Sequence, residues 1–272
     1  MPIELMNGNS KLNKLMMKIN TFILTIIVFT LYSCSKTEDD TDNFCTTNCT
    51  TLQGRFVTAN NVGISGVKIL LKYKIPGGEL GGGYQRMIVN TKTDVNGYFS
   101  KDFYIKDNEL GNTAEGYFLI EYDDLSLNVN QYILSDNQIG NTTQPLREAI
   151  YSISTRDTII GGTYYLPKKA LIKVNLNNFI PIQANDFFEV RTYYPFGPDI
   201  GFNNTLNTPY SMGFSGYETF VANSLNTHLT PFVAEGEENI IRVYRRKNGI
   251  STSEEIQINI PPNNTIELNY DF

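Results

Sequence analysis

Val67-Lys68-Ile69-Leu70-Leu71-Lys72-Tyr73-Lys74-Ile75 sets the fold class of this chain. Successive side chains of a strand point to opposite faces, so Val67, Ile69, Leu71, Tyr73 and Ile75 share one face and the three lysines share the other. The segment reads as a strand with one side in a core. The same alternation returns at Ile172, Val174 and Leu176, at Ile256, Ile258 and Ile260, and at Ile266, Leu268, Tyr270 and Phe272. Between these runs lie turn formers: Asn60-Asn61-Val62-Gly63, Pro76-Gly77-Gly78, Asp94-Val95-Asn96-Gly97, Lys247-Asn248-Gly249 and Pro261-Pro262-Asn263-Asn264. Past residue 52 no helical stripe competes with this pattern. The reading is an all-β chain of two consecutive antiparallel β-sandwich domains, residues 52–165 and 166–272, with the boundary at Leu166-Pro167-Lys168-Lys169.

Composition agrees and narrows function. The 272 residues include 17 tyrosines, 16 phenylalanines, one histidine, three cysteines and no tryptophan, a β-rich balance with little to build a histidine-based catalyst. A net charge of −6 argues against nucleic acid, whose binding requires a basic face.

Within the first domain, three stretches carry a resemblance. Leu52-Gln53-Gly54-Arg55-Phe56-Val57, Gly63-Ile64-Ser65-Gly66-Val67-Lys68-Ile69 and Thr91-Lys92-Thr93-Asp94-Val95-Asn96-Gly97-Tyr98-Phe99 together resemble the carboxypeptidase regulatory-like, or transthyretin-like, domain. The last is the most specific: Asp94 can hold the turn, Gly97 can supply a positive φ, and Phe99 returns to the core. Residues 76–83 lengthen one hairpin relative to that family, and residues 123–150 leave its last strands unmarked. The resemblance implies a structural or binding module and no activity. The second domain reads as a sandwich of transthyretin-like or fibronectin-like type.

The N-terminus reads as an address. Lys18 precedes an apolar run from Phe22 to Tyr32 that is too short to span a bilayer core, the pattern of a signal peptide over residues 1–33. Met1, Met16 and Met17 are alternative starts, the residues before Met17 being a possible upstream extension. Leu31-Tyr32-Ser33-Cys34 resembles the bacterial lipobox, which implies that Cys34 becomes a lipidated N-terminus. Ser35-Lys36-Thr37-Glu38-Asp39-Asp40 resembles the lipoprotein export signal of the Bacteroidetes, which implies the outer face of the outer membrane, with the periplasmic face as the alternative. Residues 34–51 are then expected to be a disordered, lipidated acidic tether. Cleavage before Cys34 removes Lys11, Lys14, Lys18 and Glu4, leaving a mature charge of −8.

With Cys34 lipidated, Cys45 and Cys49 remain as an even pair outside the cytoplasm, and a local disulfide is expected. They are too few for zinc. Asp94-Val95-Asn96-Gly97 imitates the start of a calcium loop but lacks the later ligands, so neither metal nor cofactor is expected. His228 reads as a surface residue.

Two features remain as candidate sites. Tyr193-Tyr194-Pro195-Phe196-Gly197, with Phe202 nearby, places Tyr193, Tyr194, Phe196 and Phe202 where a loop could offer rings to a sugar or a protein, or could cap a core. Asp157-Thr158-Ile159 resembles a short O-glycosylation motif of the same phylum and makes Thr158 a candidate. The expected function is a non-enzymatic, lipid-anchored binding or scaffolding protein, joined to the membrane through Cys34, with a cell-surface protein or glycan as partner. Two alternatives stand beside it: a fimbrial or adhesin-type subunit resembling the Bacteroidetes pilins, with Arg55 in its opening strand, and a glycan-binding accessory of an uptake system.

Overall fold

The computed structural model describes residues 36–58, 61–78, 81–134, 146–181, 183, 185–199, 216–222 and 227–272, with the side chains of 146 and 216–220 excepted. The signal segment, Cys34 and Phe202 lie outside them.

The first half contributes β1 (Lys36–Asp39), β2 (Thr50–Val57), β3 (Lys68–Ile75), β4 (Tyr84–Lys92), β5 (Tyr98–Phe103), β6 (Tyr117–Asp123), β7 (Leu146–Ile150), β8 (Ile159–Ile160) and β9 (Thr163–Tyr165). The second half contributes β10 (Lys169–Asn177), β11 (Phe187–Tyr194), β12 (Gly197–Pro198), β13 (Gly216–Val221), β14 (His228–Leu229), β15 (Phe232–Ala234), β16 (Glu238–Lys247), β17 (Ile250–Asn259) and β18 (Ile266–Asp271). The chain is all-β. Its first sandwich faces a sheet of order β1-β4-β3-β6-β7 with one of order β12-β9-β2-β5, where β8 also pairs β2. The second faces β14-β10-β15, with β18 on β10, with β13-β11-β16-β17.

The alternation read in β3 is the one observed: Ile69, Leu71 and Tyr73 are buried and the lysines between them are not. Phe56, Phe99, Phe118, Tyr122 and Tyr164 join them in the first core. Ile172, Val174, Phe188, Val190, Ile241 and Val243 form the second. The turn before β5 is held as its sequence predicts. Asp94 Oδ1 accepts from the Asn96 and Tyr98 N–H groups at 2.8 and 2.9 Å, and Gly97 sits at φ 80° where an added Cβ would lie 2.2 Å from the Phe56 carbonyl oxygen.

The structure departs from the expectation in three places. The ladders are not all antiparallel: β1 on β4, β8 and β9 on β2, and β18 on β10 run parallel. Second, the two domains do not separate cleanly at residue 166. After β11 the chain returns to the first sandwich, where Gly197 and Pro198 pair with Tyr165 and Tyr164, and Tyr194, Phe196 and Ala234 enter the first core.

Third, the acidic segment after Cys34 is not free. Residues 36–39 add a parallel edge strand to β4, with the Lys36 N–H on the Gly83 carbonyl at 3.0 Å and the Asp40 N–H on that of Met87 at 2.8 Å. Charge explains why an acidic stretch docks there. Arg86, side chain 3% exposed, donates to Asp40 Oδ2 at 2.9 Å and to Glu109 Oε1 at 2.8 Å, while Lys106 and the Tyr84 hydroxyl hold Glu38. The chain then crosses to the other sheet, and Cys45 and Cys49 are joined by a disulfide in that crossover, Cα–Cα 5.7 Å.

Candidate functional site

The loop proposed from sequence splits in two. Tyr194 and Phe196 are 0% and 2% exposed and belong to the first core, Tyr194 with its ring 6.0 Å from that of Phe232. They are therefore not a ligand platform. The physical reason is the return of β12 to β9, which carries both rings inward, where each hides on the order of 150–250 Å² of surface. Tyr193, one residue earlier on β11, points the other way.

That other side is the solvent face of the sheet β13-β11-β16-β17. Along β11 the inward residues Phe188, Val190, Thr192 and Tyr194 are fully buried, which puts Phe187, Glu189, Arg191 and Tyr193 outside. The β11–β16 register sets Glu189 opposite Tyr244 and Arg191 opposite Arg242. The β16–β17 register then sets Glu255 opposite Arg242 and Ser253 opposite Tyr244. The result is an interleaved patch. The Arg242 guanidinium lies 4.7 Å from the Tyr193 ring centre, and that of Arg191 lies 4.8 Å from the Tyr244 ring centre. Arg242 Nε donates to Glu255 Oε2 at 2.6 Å, and Arg191 donates to Glu189.

Two like charges directly opposite each other on one sheet face are unfavourable for folding. Here each is compensated by its own carboxylate and its own ring. The Glu189 hydrogen bond raises the Arg191 pKa and the Glu255 hydrogen bond raises that of Arg242, with Tyr193 adding to both. Both guanidiniums stay charged and over a third exposed. Sequence reasoning found only Tyr193 of this group. The period-two run Phe187-Glu189-Arg191-Tyr193 carried the rest of the β11 signal, but which strand would lie beside it was not readable locally.

The other candidates fall elsewhere. A shallow groove of about 610 Å³ beside β2 and β5 includes Arg55 and Tyr98, but the Arg55 guanidinium is occupied by the Asn61 side chain and carbonyl and by the Asn96 carbonyl. Thr158 is half-buried just before β8, and its carbonyl accepts the Thr51 N–H at 2.9 Å. His228 is exposed, its Nδ1 2.9 Å from Asn175 Oδ1. The Asp94 carboxylate is engaged with its own turn. Among the described residues no group of three metal-ligating side chains converges, and no helix is long and apolar enough to cross a membrane.

No protein-family model and no curated protein matches the chain. Among solved structures, the Bacillus anthracis TIE protein aligns over 82% of this chain and 33% of its own, at 12% identity and a TM-score of 0.27. A streptococcal ancillary pilin aligns over 83% of this chain and 63% of its own, at 10% identity and a TM-score of 0.27. A shaft pilin of Lactobacillus rhamnosus GG aligns over 82% and 98%, at 8% identity and the same score. The chain thus spans a third of the first and under two thirds of the second, and likeness at this level assigns neither family nor ligand.

Proposed function

We propose that this is a lipid-anchored protein of the outer membrane that faces the exterior and binds a protein partner through the Arg191–Tyr193–Arg242–Tyr244 face of its second sandwich. It binds and does not catalyse. The observation that carries the reading is the opposed pair Arg191 and Arg242. Two arginines set across from each other on a solvent face oppose folding, and they are interleaved here with tyrosines, both residue types being enriched at protein interfaces. Glu189 and Glu255 preorganise the guanidiniums, so less conformational freedom is lost on binding.

The register supports display. β1 enters beside the start of β4, whereas the passage to the second sandwich follows β9, which runs parallel to β2 and ends where β4 also ends. The chain's entry and the second sandwich thus lie at opposite ends of the first, about 30 Å apart at roughly 3.4 Å per residue of β4.

The test has two arms. Labelled fatty acid should enter the wild-type chain and not Cys34→Ser, and protease should shave the chain from intact cells. A photo-crosslinking residue at Ser253, opposite Tyr244, should give a discrete protein adduct on cells that is lost in Arg191→Glu/Arg242→Glu. An unacylated chain, protection until the outer membrane is opened, or an adduct indifferent to both arginines would each overturn the part it addresses.

A further inference from the structure

We propose that the acidic segment behind Cys34 is a releasable clamp, which when docked on β4 fixes the β3–β4 turn end of the first sandwich against the membrane and when undocked lets the molecule stand off. The proposal rests on the lipid anchor inferred above.

Its geometry follows from the ladder. Lys36 is paired with Tyr84 at the start of β4, and it stands two positions after Cys34, with Ser35 alone between them. Two residues reach at most about 7 Å, so a docked clamp leaves no slack between the lipid and the Gly83–Tyr84 end of the sheet. If the strand lifts, the chain is free as far as Cys45, where the disulfide restarts the folded body. Eleven residues reach at most about 40 Å. One short strand therefore chooses between a molecule held rigidly at the bilayer and one on a long leash.

The clamp is built to be separable. It is four residues long and lies at a sheet edge, and it contributes none of the residues of the first core. Beyond the backbone ladder, its side-chain hold is electrostatic. Glu38 meets Lys106 and Tyr84, and Asp40 meets Arg86 at 2.9 Å and Lys106 at 3.7 Å. Arg86 keeps Glu109 as a second partner, so releasing Asp40 does not strand a buried charge. A core side chain has no such alternative.

Hydrogen exchange on the native lipidated protein, in detergent and in vesicles, reads the clamp directly. The Lys36 and Asp40 amides, which donate to the Gly83 and Met87 carbonyls, should be protected in the wild type. In Glu38→Gln/Asp40→Asn that protection should fall by about tenfold, the scale of two partly exposed ion pairs, while Ile69 and Ile120 in the core stay as before. Lys106→Gln should give part of the effect and serves as a second variant. Added salt should weaken wild-type protection and leave the double variant unchanged. Unprotected Lys36 and Asp40 amides in a folded wild type, or protection indifferent to the substitutions, would overturn the clamp. A mass without acyl chains would instead overturn the membrane anchor and leave the exchange result readable as a docked strand alone.

Discussion

Arg191 and Arg242 face each other across the β11–β16 ladder, each holding a carboxylate on one side and covering a tyrosine ring on the other. The arrangement balances a local repulsion with four separate attractions, so removing one arginine also removes the repulsion. Arg242→Gln should change the free energy of unfolding by less than about 1 kcal/mol in urea titration, the range of exposed ion pairs, and should abolish the Ser253 adduct. A loss of several kcal/mol would make the patch structural.

Neighbours on β11 should behave oppositely. Tyr194→Ala opens a cavity in the first core and should cost about 3–5 kcal/mol, whereas Tyr193→Ala removes an exposed cation–π contact worth about 1 kcal/mol or less. Thermal and chemical unfolding of the two single variants checks the contrast. Phe196→Ala should group with Tyr194→Ala.

That contrast also marks where the sequence stops being readable. The strand β3 and the Asp94–Gly97 turn were legible because period-two burial and a positive-φ glycine are local properties. The sequence leaves Tyr194 and Phe196 open between loop rings and core caps because their burial depends on Gly197 pairing with Tyr165, a contact no local pattern announces. The clamp strand has the sequence of a disordered tether for a similar reason. Its composition is that of a solvated tail, and the groups that capture it, Tyr84, Arg86 and Lys106, come from distant segments. Arg191 and Arg242 became one patch only through register.

The Cys45–Cys49 bridge closes a very short loop, so its effect on the unfolded chain is small. The chain-entropy relation gives about 2 kcal/mol for a loop of this size. Cys45→Ser/Cys49→Ser should therefore fold, with unfolding shifted by no more than about that amount, and should leave the Arg191–Arg242 face intact. Alkylation under non-reducing conditions should add no mass at these two cysteines, and added mass after reduction should account for both. Failure of the double variant to fold would show that the crossover carries more of the first sandwich than its position implies.

Alkaline pH should separate the buried tyrosines from the rest. Tyr122 and Tyr164 share a buried hydroxyl contact, and Tyr164 donates to Glu148 Oε2 at 2.6 Å. Burial first, then the neighbouring Tyr164 hydroxyl and Glu148, pushes the Tyr122 phenol far up, and burial with Glu148 does the same to Tyr164. Burial pushes Tyr270 up to about 12. A group whose folded pKa is raised contributes stability that is present in full below its unfolded value, about 10 for a phenol, and that is lost as pH climbs through the interval to the folded value. Unfolding should therefore grow easier above about pH 10, and the last phenolate absorbance should appear together with loss of the β-sheet circular dichroism. In denaturant all tyrosines should titrate as one population near pH 10. One early, reversible titration of every tyrosine in the folded protein would place Tyr122 and Tyr164 in contact with water and remove this source of alkaline instability.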